Sequence, residues 1–298
     1  YYMNFNIGIS HDGPGQPARG PDPFDEPGKK ETVMDLYNTL KPLQRMSFNS
    51  MLNAKNMSRK EIFDWFVDFT GDPNVVLGEG GFVDAYDEDG LENSLNTKQA
   101  HFEFRRLAFN DMNTDEYFGF STIRMKKDNF KRAVLTQKES KYLGQKCGMD
   151  DEHALAIDLR GNVMTCQNVS SLEISKNHEP HFGGTLDDYD NVKITSSTHW
   201  SNRKECSGCP VLHICKGACM FLDKKFWDIS CANAYSDNVA LFVVAMAKMT
   251  GYIPTLIKAD GLPLERQDIF GTVFEHKEDP KKRIIPIKVV SEKIGELD

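Results

Sequence analysis

The amino-acid sequence predicts an α/β protein: part of a (β/α) barrel, then a cysteine-rich domain that carries a C-terminal helix. In the first 140 residues, short apolar runs with polar or glycine ends alternate with stretches of helical apolar period. That order belongs to a parallel sheet layered by helices. All seven cysteines of the 298-residue chain lie between Cys147 and Cys231. An apolar helix over 233–249 follows the last of them and stops at Gly251 and Pro254. The expected division is 1–140, 141–255 and a C-terminal extension over 256–298.

Residues 4–9 read as a first strand that ends in Ser10-His11-Asp12-Gly13-Pro14. Such βα junctions hold catalytic polar groups in α/β barrels. Residues 13–28 contain five prolines and four glycines and are loop. A helix is expected over 30–43, where Val33, Leu36, Tyr37 and Leu40 recur at i, i+3, i+4 and i+7. Residues 46–53 suit a second strand. Ser58 to Glu61 is a capping box, and Ile62, Phe63, Phe66, Val67 and Phe69 supply the apolar face of its helix. Residues 74–81 suit a third strand, the acidic stretch 84–92 a loop, and 99–112 and 128–143 two helices. Three βα units are too few to close a barrel. Residues 155–165 form a hairpin about Gly161-Asn162, which brings Cys147 and Cys166 near one another.

A net charge of -8 argues against a broad nucleic-acid footprint, because phosphate is held by cations. The basic residues Arg124, Lys126, Lys127, Lys131 and Arg132 read as a solvated helix face. No stretch approaches the roughly 20 apolar residues that span a bilayer. The longest apolar run, 239–247, is bracketed by Asp237 and Lys248. The start shows no basic and apolar secretion signal. An odd cysteine count in that setting reads as metal ligation in the cytoplasm rather than as disulfides.

The spacing is Cys147-x13-Gly161-x4-Cys166, then Cys206-x2-Cys209-x5-Cys215-x3-Cys219, then Cys231. Structural zinc and iron–sulfur clusters both want four thiolates, and a C-x2-C turn wraps either one. Composition leaves the two open. Eight ligands serve two four-coordinate sites, and seven cysteines leave one position substituted or open, which favours clusters.

On these residues the chain resembles the SPASM domain, which follows the barrel in many radical SAM enzymes, including peptide maturases and anaerobic sulfatase maturases. All seven cysteines and Gly161 match. Residues 7–14 resemble the fourth barrel strand of those enzymes, whose S-x-D-G-P end faces the S-adenosylmethionine (SAM) site. The two resemblances cover about residues 5–250. They imply two auxiliary [4Fe-4S] clusters, the first on Cys147, Cys166 and Cys219, the second on Cys206, Cys209, Cys215 and Cys231. Sulfatase maturases place one more cysteine where this chain has His153, so His153 completes the first cluster or leaves it open. They also carry an Asp base where this chain has Gln167, so formylglycine formation is not expected.

The resemblance places Ser10 at SAM, with Asp12 and Asn53 as further cofactor-site candidates. The ordinary readings are that Ser10 caps the turn and that Asp12 forms it. The family's C-x3-C-x2-C loop, which holds the radical-generating cluster, is not among these residues. A third [4Fe-4S] cluster and SAM binding are therefore expected with an upstream segment, and the chain reads as the C-terminal portion of a longer enzyme. The implied activity is hydrogen abstraction by a 5′-deoxyadenosyl radical from a ribosomally synthesised peptide, with a small molecule as the other substrate class. Ferredoxin or flavodoxin would supply electrons. The alternative is a non-catalytic iron–sulfur electron-transfer or substrate-binding partner, and a zinc-stabilised module is the third option. No acid–base catalyst stands out. His178 and His181 read as loop residues, while His199, Trp200 and His213 lie beside the cluster loop. Tyr86, Tyr117 and Phe118 are candidates for a substrate cleft or for core.

Overall fold

A computed structural model describes residues 6–114, 120–136, 147–148, 151, 155–166, 170–172, 174, 181–193, 199–219, 221–222, 224–258 and 261–275. The chain begins β1 (Ile7–Ser10), α1 (Lys29–Leu40), β2 (Met46–Leu52), α2 (Arg59–Thr70), β3 (Leu77–Phe82), with α3 (Lys98–Met112) and α4 (Ser121–Thr136) after them. The three strands form one parallel sheet in the order β1-β2-β3. β2 alternates strictly, with Met46, Phe48, Ser50 and Leu52 buried, as a strand with one covered face requires. The proline-rich loop before α1 is two short 3-10 turns, Gly13–Ala18 and Pro23–Asp25, each with proline in its first two positions.

Helix starts and stops follow local chemistry. The Ser58 hydroxyl accepts from the Glu61 N–H at 3.2 Å, and Gly71 ends α2 at a φ of 67°. α1 stops at Leu40, three residues short of expectation. Pro42 has no N–H to continue the ladder, so the chain tightens into the 3-10 turn Lys41–Leu43. α4 starts at Ser121, seven residues before the expected 128. The Ser121 hydroxyl donates to the Leu77 carbonyl at 3.2 Å, and Phe120 forms a parallel bridge with Leu77, so β3 fixes where this helix begins.

The second half opens with β4 (Ala156–Ile157), β5 (Asn162–Met164) and β6 (Phe182–Thr185), an antiparallel sheet in that order. The expected hairpin turns at Gly161, φ 82°. β6 is an addition: Phe182-Gly183-Gly184-Thr185 has no alternation to read. Two single turns follow, α5 (Lys204–Ser207) and α6 (Leu212–Cys215), then α7 (Lys224–Thr250), α8 (Leu264–Gln267) and α9 (Ile269–Phe274).

α7 begins nine residues before the expected 233, because nothing in 224–232 breaks a helix and Trp227 and Ser230 are buried there. The span Lys225–Thr250 is long and apolar enough to cross a membrane, yet 72% of an apolar 18-residue stretch within it is buried inside this fold. Val239, Leu241, Val243 and Val244 pack in one core with Phe48, Phe66, Leu77, Phe104 and Phe120, and with Ile269 and Val273 of α9. Each such buried side chain contributes about 1.5–3 kcal/mol. That core draws its residues from 37–130, 211–245 and 269–273. A buried ion pair joins its halves: Arg59 Nη2, at the start of α2, lies 2.6 Å from Asp237 Oδ1 on α7.

Candidate metal centre and cleft

The carboxyl ends of the three parallel strands open onto one cleft of about 820 Å³. Ser10 ends β1, Ser50 and Met51 lie in the last three residues of β2, and Gly81, Phe82, Val83, Asp84 and Tyr86 leave β3. The opposite wall is α7, where Ser230, Ala234 and Asp237 recur at i, i+4 and i+7, with Asn238 beside them. The remaining wall carries Cys147, Cys166, Cys215 and Cys219. Polar side chains gather at this end because strand carboxyl ends release the chain into loops while the strands stay in the core.

Of the expected cofactor residues, Ser10 lines this cleft, whereas Asp12 and Asn53 are not among its lining residues. Asp12 is buried and holds the turn: its carboxylate accepts from the Met51 N–H at 2.9 Å, its N–H donates to Gln16 Oε1 at 3.1 Å, and its carbonyl accepts from the Asn56 amide at 2.9 Å. Asn53 is also a turn residue, its side chain accepting from the Lys55 N–H at 2.8 Å. His11 braces the same loop. The Gly13 N–H donates to its Nδ1 at 3.0 Å, which leaves Nε2–H to donate to Asp22 at 3.0 Å, and the ring lies stacked against Phe24 and Trp65.

The thiols fall into two groups. Cys206, Cys209, Cys215 and Cys231 line a small cavity of about 20 Å³ with Val211, Trp227, Tyr235 and Arg266. Cys147, Cys166 and Cys219 line the cleft instead, and Cys215 lines both. The wall between the two is made by a sharp turn: Lys216, Gly217 and Ala218 are all left-handed, at φ of 54°, 85° and 58°. That geometry costs a non-glycine residue about 1–2 kcal/mol, and it turns Cys219 away from Cys215 toward the cleft.

Among the described residues, no three of His, Cys, Asp or Glu stand close enough to hold a single metal ion. A tetrahedral zinc with bonds of about 2.3 Å brings its sulfurs to about 3.8 Å from one another. A [4Fe-4S] cluster takes four thiolates as well, so the four-thiol donor set of this pocket suits either group. Burial pushes the Cys206 thiol up to about 12, with the nearby Cys231, Cys215 and Cys209 raising it further. Burial also raises Cys209 and Cys219. Without a central cation these thiols stay protonated, and a bound metal reverses that by stabilising thiolate.

Cations surround the pocket. Arg266 Nη2 donates to Cys231 Sγ at 3.5 Å, and its guanidinium lies 4.5 Å over the Tyr235 ring. Arg203 lies 4.3 Å over the Trp227 ring and donates to the Leu222 carbonyl at 2.9 Å. On the cleft side, the Tyr86 hydroxyl is 3.8 Å from Cys219 Sγ, and burial together with Cys219 raises the phenol pKa. Tyr86 therefore lines the cleft rather than the core.

His181 is buried, its Nδ1 3.1 Å from the Thr165 hydroxyl and its ring edge-on to Phe221, which is the structural reading. His213 is exposed on α6, and Trp200 packs with Cys206, Leu222 and Trp227. His153, Gln167, His178, Tyr117 and Phe118 lie outside the described residues. Sequence reasoning missed Asp237, Asn238, Ser230 and Arg266. The first three carried a faint signal as polar residues on an otherwise apolar helix. Arg266 carried none, because it lies 35 residues beyond Cys231.

No family model matches the chain, and no curated protein does. Solved structures share its fold. Native anSMEcpe with bound AdoMet and the Kp18Cys peptide superposes with a TM-score of 0.50 at 18% identity, over 81% of this chain and 69% of that one. A histidine-tagged form of anSMEcpe with bound AdoMet gives 0.49 at 15% identity, over 84% and 69%. The chain thus shares the fold of that solved structure, with a partial parallel (β/α) barrel followed by a second, smaller antiparallel sheet and helices.

Proposed function

We propose that this protein is a radical SAM/SPASM enzyme that modifies a peptide in the cleft at the strand ends. The observation that carries the reading is the sorting of the seven thiols, four around one pocket and three on the cleft wall. The solved neighbour holds AdoMet and a peptide on the same fold, which supports SAM as cofactor and a peptide as substrate class. In this reading Cys206, Cys209, Cys215 and Cys231 hold one auxiliary [4Fe-4S] cluster, and Cys147, Cys166 and Cys219 hold the other, with His153 or an open position as its fourth. When bound, such clusters exchange single electrons, and SAM cleaved at a third cluster supplies the 5′-deoxyadenosyl radical that abstracts a substrate hydrogen.

The chain's own residues shape where that happens. Ser10, which lines the cleft at the end of β1, would contact SAM, and Asp12 and Asn53 would support it by holding the loops behind. Met51, Phe82, Val83 and Ile214 give the cleft an apolar lining beside its polar groups. Arg19 and Lys126 offer cations for carboxylates of the peptide or of SAM. Ferredoxin or flavodoxin is the proposed electron source, and the cytoplasm the proposed compartment.

Anaerobic purification with iron and sulfide analysis tests the reading. The expected result is iron and sulfide for two four-iron clusters, with Cys206→Ser and Cys231→Ser each losing about half and Cys166→Ser losing the other half. Zinc in place of iron, or iron unchanged in all three variants, would overturn it. The alternative is a non-catalytic electron-transfer or substrate-binding role, which the same four-thiol pocket would serve. Formation of 5′-deoxyadenosine from SAM in the same preparation rejects that role.

A further inference from the structure

We propose that Arg266, assisted by Trp227, is a positioning residue that sets the reduction potential of the centre in the four-thiol pocket. The proposal rests on the reading of that pocket as an iron–sulfur site, which the chemistry of its donor set fits. Reduction adds one electron from an external low-potential donor and one negative charge to the cluster and its thiolates. Donors that point at the ligand sulfurs stabilise that extra charge, and burial magnifies the effect.

Arg266 is built for this role. Its Nη2 donates to Cys231 Sγ at 3.5 Å, and its charge also acts on Cys209, so one planar cation serves two of the four thiols. The Tyr235 ring supports its face at 4.5 Å, and the Arg266 N–H donates to the Pro263 carbonyl at 2.8 Å. A fork held on its face and at its backbone keeps its direction, which a flexible ammonium does not. Trp227 is one helical turn before Cys231 and lines the same pocket. Its indole N–H is buried with no hydrogen-bond partner, and such a buried donor calls for an acceptor. A cluster sulfur in this pocket is the acceptor the geometry offers. Arg203 and Glu205 are the other charged groups here. Arg203 lies over the Trp227 ring and donates to the Leu222 carbonyl, and Glu205 lines the pocket rim.

The test is a redox titration of the anaerobically purified full chain, followed by electron paramagnetic resonance, with iron content measured alongside. Arg266→Met is expected to shift the reduction equilibrium against the reduced form by at least tenfold, a potential lower by about 59 mV for one electron. Arg266→Lys keeps the charge and should shift less. Trp227→Phe keeps the ring, loses the donor and should move the potential in the same direction. Unchanged potentials in Arg266→Met and Trp227→Phe, with iron retained, would refute the proposal while leaving the cluster assignment intact. If Arg266→Met loses its iron, the other two variants decide, and unchanged potentials in both refute it. A wild-type protein without iron and sulfide overturns the cluster assignment itself.

Discussion

Asp237→Asn removes one charge from a pair that is almost fully enclosed. The Arg59 and Asp237 side chains are 2% and 6% exposed and 2.6 Å apart, so the guanidinium left behind has little access to water. Stranding a buried charge in this way costs about 3–5 kcal/mol. Asp111 moderates that cost. Its carboxylate accepts from the Arg59 N–H at 2.7 Å and from the Ser58 hydroxyl at 3.2 Å, and its charge attracts the same guanidinium. The lower end, about 3 kcal/mol, is therefore the expected loss, a large part of the 5–15 kcal/mol that holds a typical domain folded. For a chain of this size that corresponds to a fall in Tm of about 5 °C. Urea unfolding followed by circular dichroism measures it. The paired variant Arg59→Met with Asp237→Leu should recover at least half of the loss, because a buried ion pair replaced by apolar side chains is often neutral. Stability within about 1 kcal/mol of wild type in Asp237→Asn would refute the reasoning. So would single losses that simply add in the double variant.

Two further predictions concern the same scaffold. His101, 2.9 Å from the Ser236 hydroxyl, is lowered from 6.5 to about 4, first by burial and then by Arg105, against a smaller opposing hydrogen bond from Leu95. The unfolded chain therefore binds more protons between those values, so this stability is complete above pH 6.5 and lost as the pH falls toward 4. The shift bounds the loss at about 3 kcal/mol, less because solvent reaches the ring. His101→Gln should flatten that part of the stability–pH curve in urea unfolding, and an unchanged curve would assign the slope to other groups. At Gly15 an added Cβ would stand 2.6 Å from the Asn56 Cβ, in the loop where the Asn56 amide holds the Asp12 carbonyl. Gly15→Ala should cost about 1–3 kcal/mol through overpacking, measured as a lower urea midpoint, and an unchanged midpoint would show that the loop can relax.

Much of this was legible in local patterns. The Ser58 box, the β2 alternation and the Gly161 hairpin each depend on neighbours within a few residues, and each formed where expected. The helix starts at Ser121 and Lys224 did not, because contacts far along the chain set them. β6 was hidden because two adjacent glycines erase the period that marks a strand.

The sequence by itself marked Cys206, Cys209 and Cys215 as thiols that one turn-rich loop can aim at a common centre, because their spacings are short, while the grouping of all seven came from the family resemblance. It also marked the polar end of β1, because a strand leaving the core must expose its last residues to a loop. Only the tertiary structure decided what surrounds those groups. It docked α7 across the strand ends to wall the cleft, placed Asp237 against Arg59 from 178 residues away, and carried Arg266 onto Cys231. Such pairings follow from burying distant apolar faces in one core, and no local window of sequence records which face meets which.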